Sequence, residues 1–352
     1  MAERLYLDWN ATAPLRPEAR AAMLAAMDAV GNPSSVHGEG RAAKALVERA
    51  RGQVAAAFGA VGSDVVFVSG ATEAAALAMA GRGLATAPVE HEAVAAWGDG
   101  SLPVDAAGRV GLDDPSRSAV QLANSETGVM QALPGGLAVS DMTQGFGKVP
   151  VAFDWTGVEM ALISAHKLGG PKGVGALVIR RGLDVASRIR GGGQEMGRRS
   201  GTENIIGIAG FGAAARAAVR DLDSGAWDRV AQLRTFLETS LEDDINPTIL
   251  VGKESKRLPN TSTLITPGWK GETQVMAMDL AGYAVSAGSA CSSGKVRGSA
   301  VLAAMGYDAA DAASAIRVSL GPETDEDEIM RFADIWLSQL DKHCARTRAR
   351  PM

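Results

Sequence analysis

The chain has 352 residues, enough for one large domain and a smaller companion. Hydrophobic residues make up 46% and charged residues 21%, the balance of an ordinary globular protein. A formal net charge of −5, with Lys and Arg scattered along the chain, gives no support to nucleic-acid binding or to anchoring on an acidic membrane. No apolar run reaches the length of a membrane span, because Gly, Ser or a charge interrupts each one. Acidic residues fall where a signal peptide needs its apolar stretch, so a cytoplasmic location is the expectation.

Cys291 and Cys344 are the only two cysteines, too few for a disulfide framework, and no Cys/His cluster suggests a metal. An isolated Cys is usually a small buried hydrophobe. Cys291 instead lies in Ser-Ala-Gly-Ser-Ala-Cys-Ser-Ser-Gly, a small, polar, loop-like context that favours an accessible thiol. Cys344, beside His343 in a charged segment, has no such context and reads as incidental.

In chain order, apolar runs bounded by Gly or Ser alternate with Ala-rich helical stretches, which predicts an α/β chain. Asp64 to Ser69 is a β-branched strand that runs into Gly70-Ala71-Thr72-Glu73 and a helix over Ala74 to Ala80. Further strands are expected at Ala119 to Ala123, Leu137 to Ser140, Ala161 to Ala165 and Val174 to Arg180. Asn124, Asp141 and His166-Lys167 follow three of them, so polar residues gather where strands stop. In open α/β sheets ligands bind at those carboxyl ends. Near Asp221 the character changes. A charged helix over about Ala226 to Glu242 is followed by an extended run from Pro259, the Cys291 loop, a strand at Ala315 to Leu320, and a terminal helix announced by Thr324-Asp325-Glu326. Residues 13–225 are expected to form the large domain, and residues 1–12 with 226–352 a smaller one carrying the Cys291 loop. The Ala-rich stretches 19–27, 54–60 and 212–218 read as packed helices.

A lysine at a strand end before Gly-Pro is commonly a solvated turn residue, Asp141 alone reads as a turn or cap, and Thr72 alone as an N-cap. Their joint occurrence points further. Pyridoxal phosphate (PLP) chemistry needs an amine to hold the cofactor, an acid against the pyridine nitrogen, and a phosphate cradle of backbone N–H groups at a helix start. Lys167, Asp141 and Gly70-Ala71-Thr72 supply all three at strand ends.

With these pieces in view, the chain resembles the cysteine desulfurases of the NifS/IscS type, within the class V aminotransferase family of fold-type I PLP enzymes. The match runs in order through Leu7-Asp8-Trp9-Asn10-Ala11-Thr12, Gly31-Asn32-Pro33-Ser34-Ser35-Val36-His37, Ser69-Gly70-Ala71-Thr72-Glu73, Glu90-His91 and Asn124-Ser125-Glu126-Thr127-Gly128. It continues through Asp141-Met142-Thr143-Gln144, the lysine motif Ser164 to Gly173, Arg199-Ser200-Gly201-Thr202, the cysteine motif and Ile316-Arg317-Val318-Ser319-Leu320-Gly321.

The resemblance implies a large domain with a mostly parallel seven-stranded sheet and a smaller α/β domain. It implies that Lys167 carries PLP and later moves the substrate Cα proton, that Asp141 pairs with the pyridine nitrogen, and that Gln144 and Asn124 lie near the cofactor's phenolic oxygen. His91 would stack on the ring and shuttle protons. Ala71, Thr72, Ser164 and His166 would hold the phosphate, and Thr202 would reach the phosphate of a neighbouring subunit, which implies a homodimer with shared active sites. Arg317 would clamp the carboxylate of L-cysteine, with Asn32 and Asn124 also on the substrate side. Cys291, as thiolate, would take the sulfur as a persulfide and pass it to an acceptor or scaffold protein for iron–sulfur cluster or thio-cofactor supply.

The chain also departs from the family's pattern. Between Gln131 and Asp141 only Ala132-Leu133-Pro134-Gly135-Gly136 stands where a full helix is usual, so a helix covering the sheet is expected to be missing and apolar surface exposed. The stretch from Gly81 to Glu90 is short as well. Ala74-Ala75-Ala76 replaces polar residues, and Val296-Arg297-Gly298 replaces an acidic-proline turn. Two other readings use the same residues: a class V aminotransferase or selenocysteine lyase, and a trimmed, non-catalytic partner subunit.

Overall fold

The strand Ser63–Val68 shows how the sheet is built: Val65 and Phe67 enter one apolar cluster, Val66 and Val68 the other. The same alternation divides Ala161 and Ile163 from Met160 and Leu162, and Ala176 and Val178 from Leu177 and Ile179. Side chains alternate faces along a strand, so this sheet is buried on both sides. The computed structural model describes residues 4–242, 248–288 and 298–348.

Among these, six strands stand side by side in the order Ser63–Val68, Gly175–Arg180, Met160–Ser164, Ser140–Asp141, Ser118–Ala119 and Ala85–Thr86. A parallel bridge between Ala119 and Val139 joins the last two to the rest. Gly175–Arg180 runs antiparallel to both neighbours; the other pairings are parallel. The sheet is therefore α/β and mixed, with six described strands where seven were expected. The expected strands at 119–123 and 137–140 shrink to Ser118–Ala119 and Ser140–Asp141.

One face is covered by the helices Gly38–Ala57 and Ile205–Asp223, around Phe58, Phe146, Phe153 and Phe211. Asn204 caps the second of these, its Oδ1 accepting the Gly207 N–H at 3.0 Å. The helix Ala71–Met79 covers the other face.

A second core gathers Leu7, Trp227, Leu237, Trp269, Phe332 and Trp336. It lies between the helices Ala226–Leu241 and Glu326–Arg348 and an antiparallel sheet ordered Ser286–Ala287, Ala315–Ser319, Thr261–Ile265, Ile249–Leu250. The terminal helix starts where Thr324-Asp325-Glu326 announced it. Asp325 and Glu328 exchange backbone-to-carboxylate bonds of 3.0 and 2.8 Å, a reciprocal cap. The strand Leu5–Tyr6 pairs with Tyr283–Ala284, and Leu7 belongs to the second core. On these contacts we propose the division into 13–225 and 1–12 with 226–352.

No helix lies between Gln131 and Ser140. A groove of about 440 Å³ lies along this stretch, its lining including Val110, Leu112, Val120, Met130 and Pro134 with the exposed cations Arg109 and Lys256. Among the described residues, no helix is long and apolar enough to cross a membrane.

Candidate active site

Strand Met160–Ser164 ends in a single 3₁₀ turn, Ala165–Lys167, which delivers Lys167 to the carboxyl end of the sheet. Its Nζ donates to the backbone carbonyls of Asn10 at 2.7 Å and Ala11 at 2.9 Å. Beside it opens a cavity of about 530 Å³. Ala71, Thr72, His91, Asp141, Gln144, Ser164, His166 and Lys167 all line it, so eight of the residues singled out in the sequence meet in one place.

At one end, the first turn of Ala71–Met79 opens toward Ser164, His166 and Lys172. The first N–H groups of a helix have no partner within it and favour an anion. Gly175 makes the approach possible. A Cβ there would stand 2.6 Å from the Ile163 carbonyl oxygen and 2.8 Å from Gly70 Cα. Glu73 steadies the turn by accepting the Ser69 N–H at 2.7 Å and pairing with Arg199 at 2.8 Å. Burial, followed by the positive charges of Lys167 and Lys172, brings the His166 imidazole down to about 4, so it stays neutral at neutral pH.

At the other end, Asp141 Oδ1 accepts the Thr143 N–H at 2.9 Å. Behind it Glu90 is buried, with Oε1 accepting the Gln121 N–H at 2.9 Å and Oε2 without a hydrogen-bond partner among the described residues. Burial, helped by the charge of Asp141, pushes the Glu90 carboxyl well above the usual range and disfavours its charged form. His91 begins the short helix Glu92–Ala95 as its N-cap: Nδ1 accepts the Ala93 N–H at 3.1 Å, which leaves the ring proton on Nε2. An amine, an acid, an imidazole and an anion-favouring helix start around 530 Å³ fit the needs of PLP.

Other expected residues stand elsewhere. Asn124 is buried and committed to protein: Oδ1 accepts the N–H groups of Glu126 and Thr127, and Nδ2 donates to the Val89 carbonyl at 3.0 Å. It therefore ties the His91 loop to its own turn and does not line the cavity. Arg317 is buried beyond the cavity lining, paired with Asp8 at 2.6 Å and donating to the Ser125 carbonyl at 3.0 Å, while its Nε has no partner among the described residues. Asn32 is exposed, its Oδ1 accepting the Ser34 N–H, and Thr202 is exposed outside the cavity. Cys291 lies outside the described residues.

The sequence reading missed several groups. Asp8 pairs with Arg317. Glu126 accepts from Ser299 Oγ, and burial raises its carboxyl against the opposing pull of Ser299, Arg317 and His91. Asn10 and Lys148 form a buried junction beneath Lys167. Glu90 and Asp8 stood inside matching motifs, but only the fold shows that the first is buried with one carboxyl oxygen lacking a partner among the described residues and that the second holds an arginine.

The sequence pattern of class-V aminotransferases matches residues 5–97 and 117–332. The chain belongs to this family, in its cysteine desulfurase branch. It is similar to a cysteine desulfurase from Cereibacter sphaeroides, 40% identical over 95% of each chain. It is also similar to the cysteine desulfurase IscS of Dictyoglomus turgidum, 35% identical over 95% of this chain and 94% of that one. Among solved structures, the NifS-like protein from Rickettsia africae superposes with a TM-score of 0.87 at 30% identity, covering 96% of this chain and all of the other. The family as a whole is PLP-dependent.

Proposed function

We propose that this chain is a PLP-dependent cysteine desulfurase that converts L-cysteine to L-alanine and leaves the sulfur as a persulfide on Cys291. The observation that carries the reading is the cavity in which Lys167, Asp141, His91 and the start of Ala71–Met79 converge. PLP, when bound, supplies an electron sink that loosens the bonds at the substrate Cα and Cβ.

The chain's own groups do the rest. Lys167 holds the cofactor and then moves the proton at the substrate Cα. Asp141 would meet the pyridine nitrogen, with the buried Glu90 carboxyl behind it. The N–H groups of Ala71 and Thr72, with Ser164 and Lys172, would hold the phosphate, and neutral His166 would serve there as a hydrogen-bonding group without charge. His91 would cover the ring, with its proton on Nε2.

Arg317 binds the substrate carboxylate by exchanging it for Asp8. Ser286 pairs in register with Arg317, and the described chain before Cys291 ends two residues later at Gly288. This pairing supports the reading that the Cys291 segment reaches the substrate end. The Cys291 thiolate attacks the substrate sulfur, the new S–S bond forms as the Cβ–S bond breaks, and the electron pair of that bond stays on the three-carbon fragment. The thiol proton of the substrate ends on the methyl group of alanine. Thr202 completes the phosphate site of a second subunit, and an acceptor or scaffold protein takes the sulfur.

The test incubates the PLP-loaded protein with L-cysteine, with and without reductant, and measures alanine and sulfide. Alanine with reductant-released sulfide is expected, and Cys291→Ala should keep the visible absorbance of the cofactor while losing both products. Sustained alanine and sulfide from Cys291→Ala would overturn the assignment.

A further inference from the structure

Lys148 is 2% exposed, among the largest fully buried side chains of the molecule, and nothing in the reaction above uses it. Lysine is almost never buried so fully unless paired with an opposite charge. Here both partners are neutral: Nζ donates to Gln144 Oε1 at 2.6 Å and to Asn10 Oδ1 at 2.8 Å. The turn that brings it there is specified by Gly147, at φ 80°, where a Cβ would stand 2.9 Å from Ala218 Cβ and 3.1 Å from Leu168 Cβ. The chain thus folds back and sets Lys148 under Gln144, four residues earlier.

What the amine touches matters for the site. Gln144 lines the cavity, and its carboxamide is held at both ends: Oε1 by Lys148, Nε2 by the Asn10 carbonyl at 2.9 Å. A flipped amide would set oxygen against that carbonyl, so one orientation is fixed. An amide NH₂ carries a second proton, and in this orientation it is the one left for the cavity. The Asn10 carbonyl also accepts from Lys167 Nζ. Asn10 itself is wholly engaged: its N–H donates to Ser319 Oγ at 3.0 Å, its Nδ2 to Thr261 Oγ1 at 2.8 Å and the Ser125 carbonyl, and its Oδ1 also accepts from Asn260. Ser319 lies on the strand that carries Arg317. One buried junction therefore joins the Lys167 end of the cavity to the strands of the second core.

We propose that Lys148 is a positioning residue for the cofactor site, its amine locking the Gln144 carboxamide with Nε2 toward the cavity and bracing Asn10 beneath Lys167. A neutral amine has two N–H donors, which matches the two oxygens present. Burial, and then the charges of Lys167 and Arg317, hold the Lys148 amine well below its ordinary value, in agreement with that count. The inference rests on the PLP reading given above.

The test compares the parent, Lys148→Met, Gln144→Leu and the double variant, each prepared cofactor-free and titrated with PLP. Thermal melting before addition, the visible absorption band after it, and PLP dissociation are recorded. Met preserves length and removes both donors. Lys148→Met should melt as the parent does when cofactor-free, release PLP about tenfold more readily, and show a shifted absorption band. In the Gln144→Leu background the same substitution should change band and dissociation much less than it does in the parent, because the Gln144 contact is gone and only the Asn10 contact remains to be lost. A parent-like band and dissociation in Lys148→Met would overturn the proposal. So would a cofactor-free melting point well below the parent's, which would assign the amine to core stability, or effects that simply add in the double variant. A parent protein that takes up no PLP would instead refute the cofactor reading itself.

Discussion

Gly175 is the position where strand propensity and tertiary structure predict opposite outcomes. It lies in register between Val68 and Ser164, where the two neighbouring strands hand over to the Gly70 turn and the Lys167 turn. Alanine in a strand interior ordinarily gains about 0.5–1 kcal/mol over glycine by restricting the unfolded chain. Here the added Cβ would meet the Ile163 carbonyl oxygen at 2.6 Å and Gly70 Cα at 2.8 Å, both backbone atoms that cannot swing aside. Ordinary contact requires these gaps to open by roughly 0.7 Å. Overpacking of this kind costs about 1–3 kcal/mol, which outweighs the propensity gain. Because Gly70 immediately precedes the N–H groups of Ala71 and Thr72, the displacement falls on the anion-favouring end of the cavity, where misplacement approaching 1 Å is worth up to about 100-fold. Gly175→Ala should lower the urea midpoint of the cofactor-free protein and raise PLP dissociation at least tenfold, read from the visible absorbance. A variant as stable as the parent that binds PLP equally well would refute the close approach of the Gly70 turn.

Three further outcomes are expected. His166 titrates near 6.5 in the unfolded chain and at about 4 when folded, so the unfolded state binds more protons between those values. Stability should fall as pH drops from about 6.5 to 4 and level off below, by on the order of 1–2 kcal/mol after screening of a partly exposed ring; His166→Asn should flatten that part of a melting-temperature profile. Asp8→Asn removes the anion that competes for Arg317. It should lower KM for L-cysteine several-fold at a cost of about 2–4 kcal/mol in unfolding free energy, whereas a raised KM would show that Asp8 orients Arg317 for substrate. Glu195 and Met196 both hold left-handed backbone, at φ 48° and 58°, and Glu195 is anchored by Arg51 at 2.7 and 2.9 Å and by the Phe67 N–H at 2.8 Å. Glu195→Ala should cost about 3–5 kcal/mol, and Met196→Gly should gain up to about 1 kcal/mol, both measured by urea unfolding.

The parts of this molecule that could be read from sequence are those written in local pattern. Strands of five or six residues stood out because apolar runs bounded by Gly or Ser mark them, and the terminal helix because Thr324-Asp325-Glu326 marks its start, where Asp325 and Glu328 form a reciprocal cap. The segment at 118–119 overran in the sequence because buried apolar residues continue past it into loop, and that at 140–141 because the buried residues Leu137, Ala138 and Val139 lead into it from loop. Strand-end residues such as Asp141 and Lys167 were legible because the chemistry asks for them at known places in a sheet. Lys148 was not: a lysine beside a glycine reads as solvated turn, and nothing local reveals that Asn10, 138 residues earlier, supplies an acceptor. Asn124 was expected beside the cofactor and Arg317 on the substrate; instead Asn124 is held off the cavity on the Val89 carbonyl and Arg317 is paired with Asp8, contacts that the fold alone sets.

The proposed reaction joins Lys167 to Cys291 through one sulfur atom, and peptide mass mapping reads that link most directly. The PLP-loaded protein, given L-cysteine without reductant, quenched with an alkylating agent and digested, should show a gain of one sulfur on the peptide containing Cys291 and none on that containing Cys344. The gain should vanish in Lys167→Ala. Sulfur on Cys344 alone, or on neither peptide while alanine accumulates, would contradict the account.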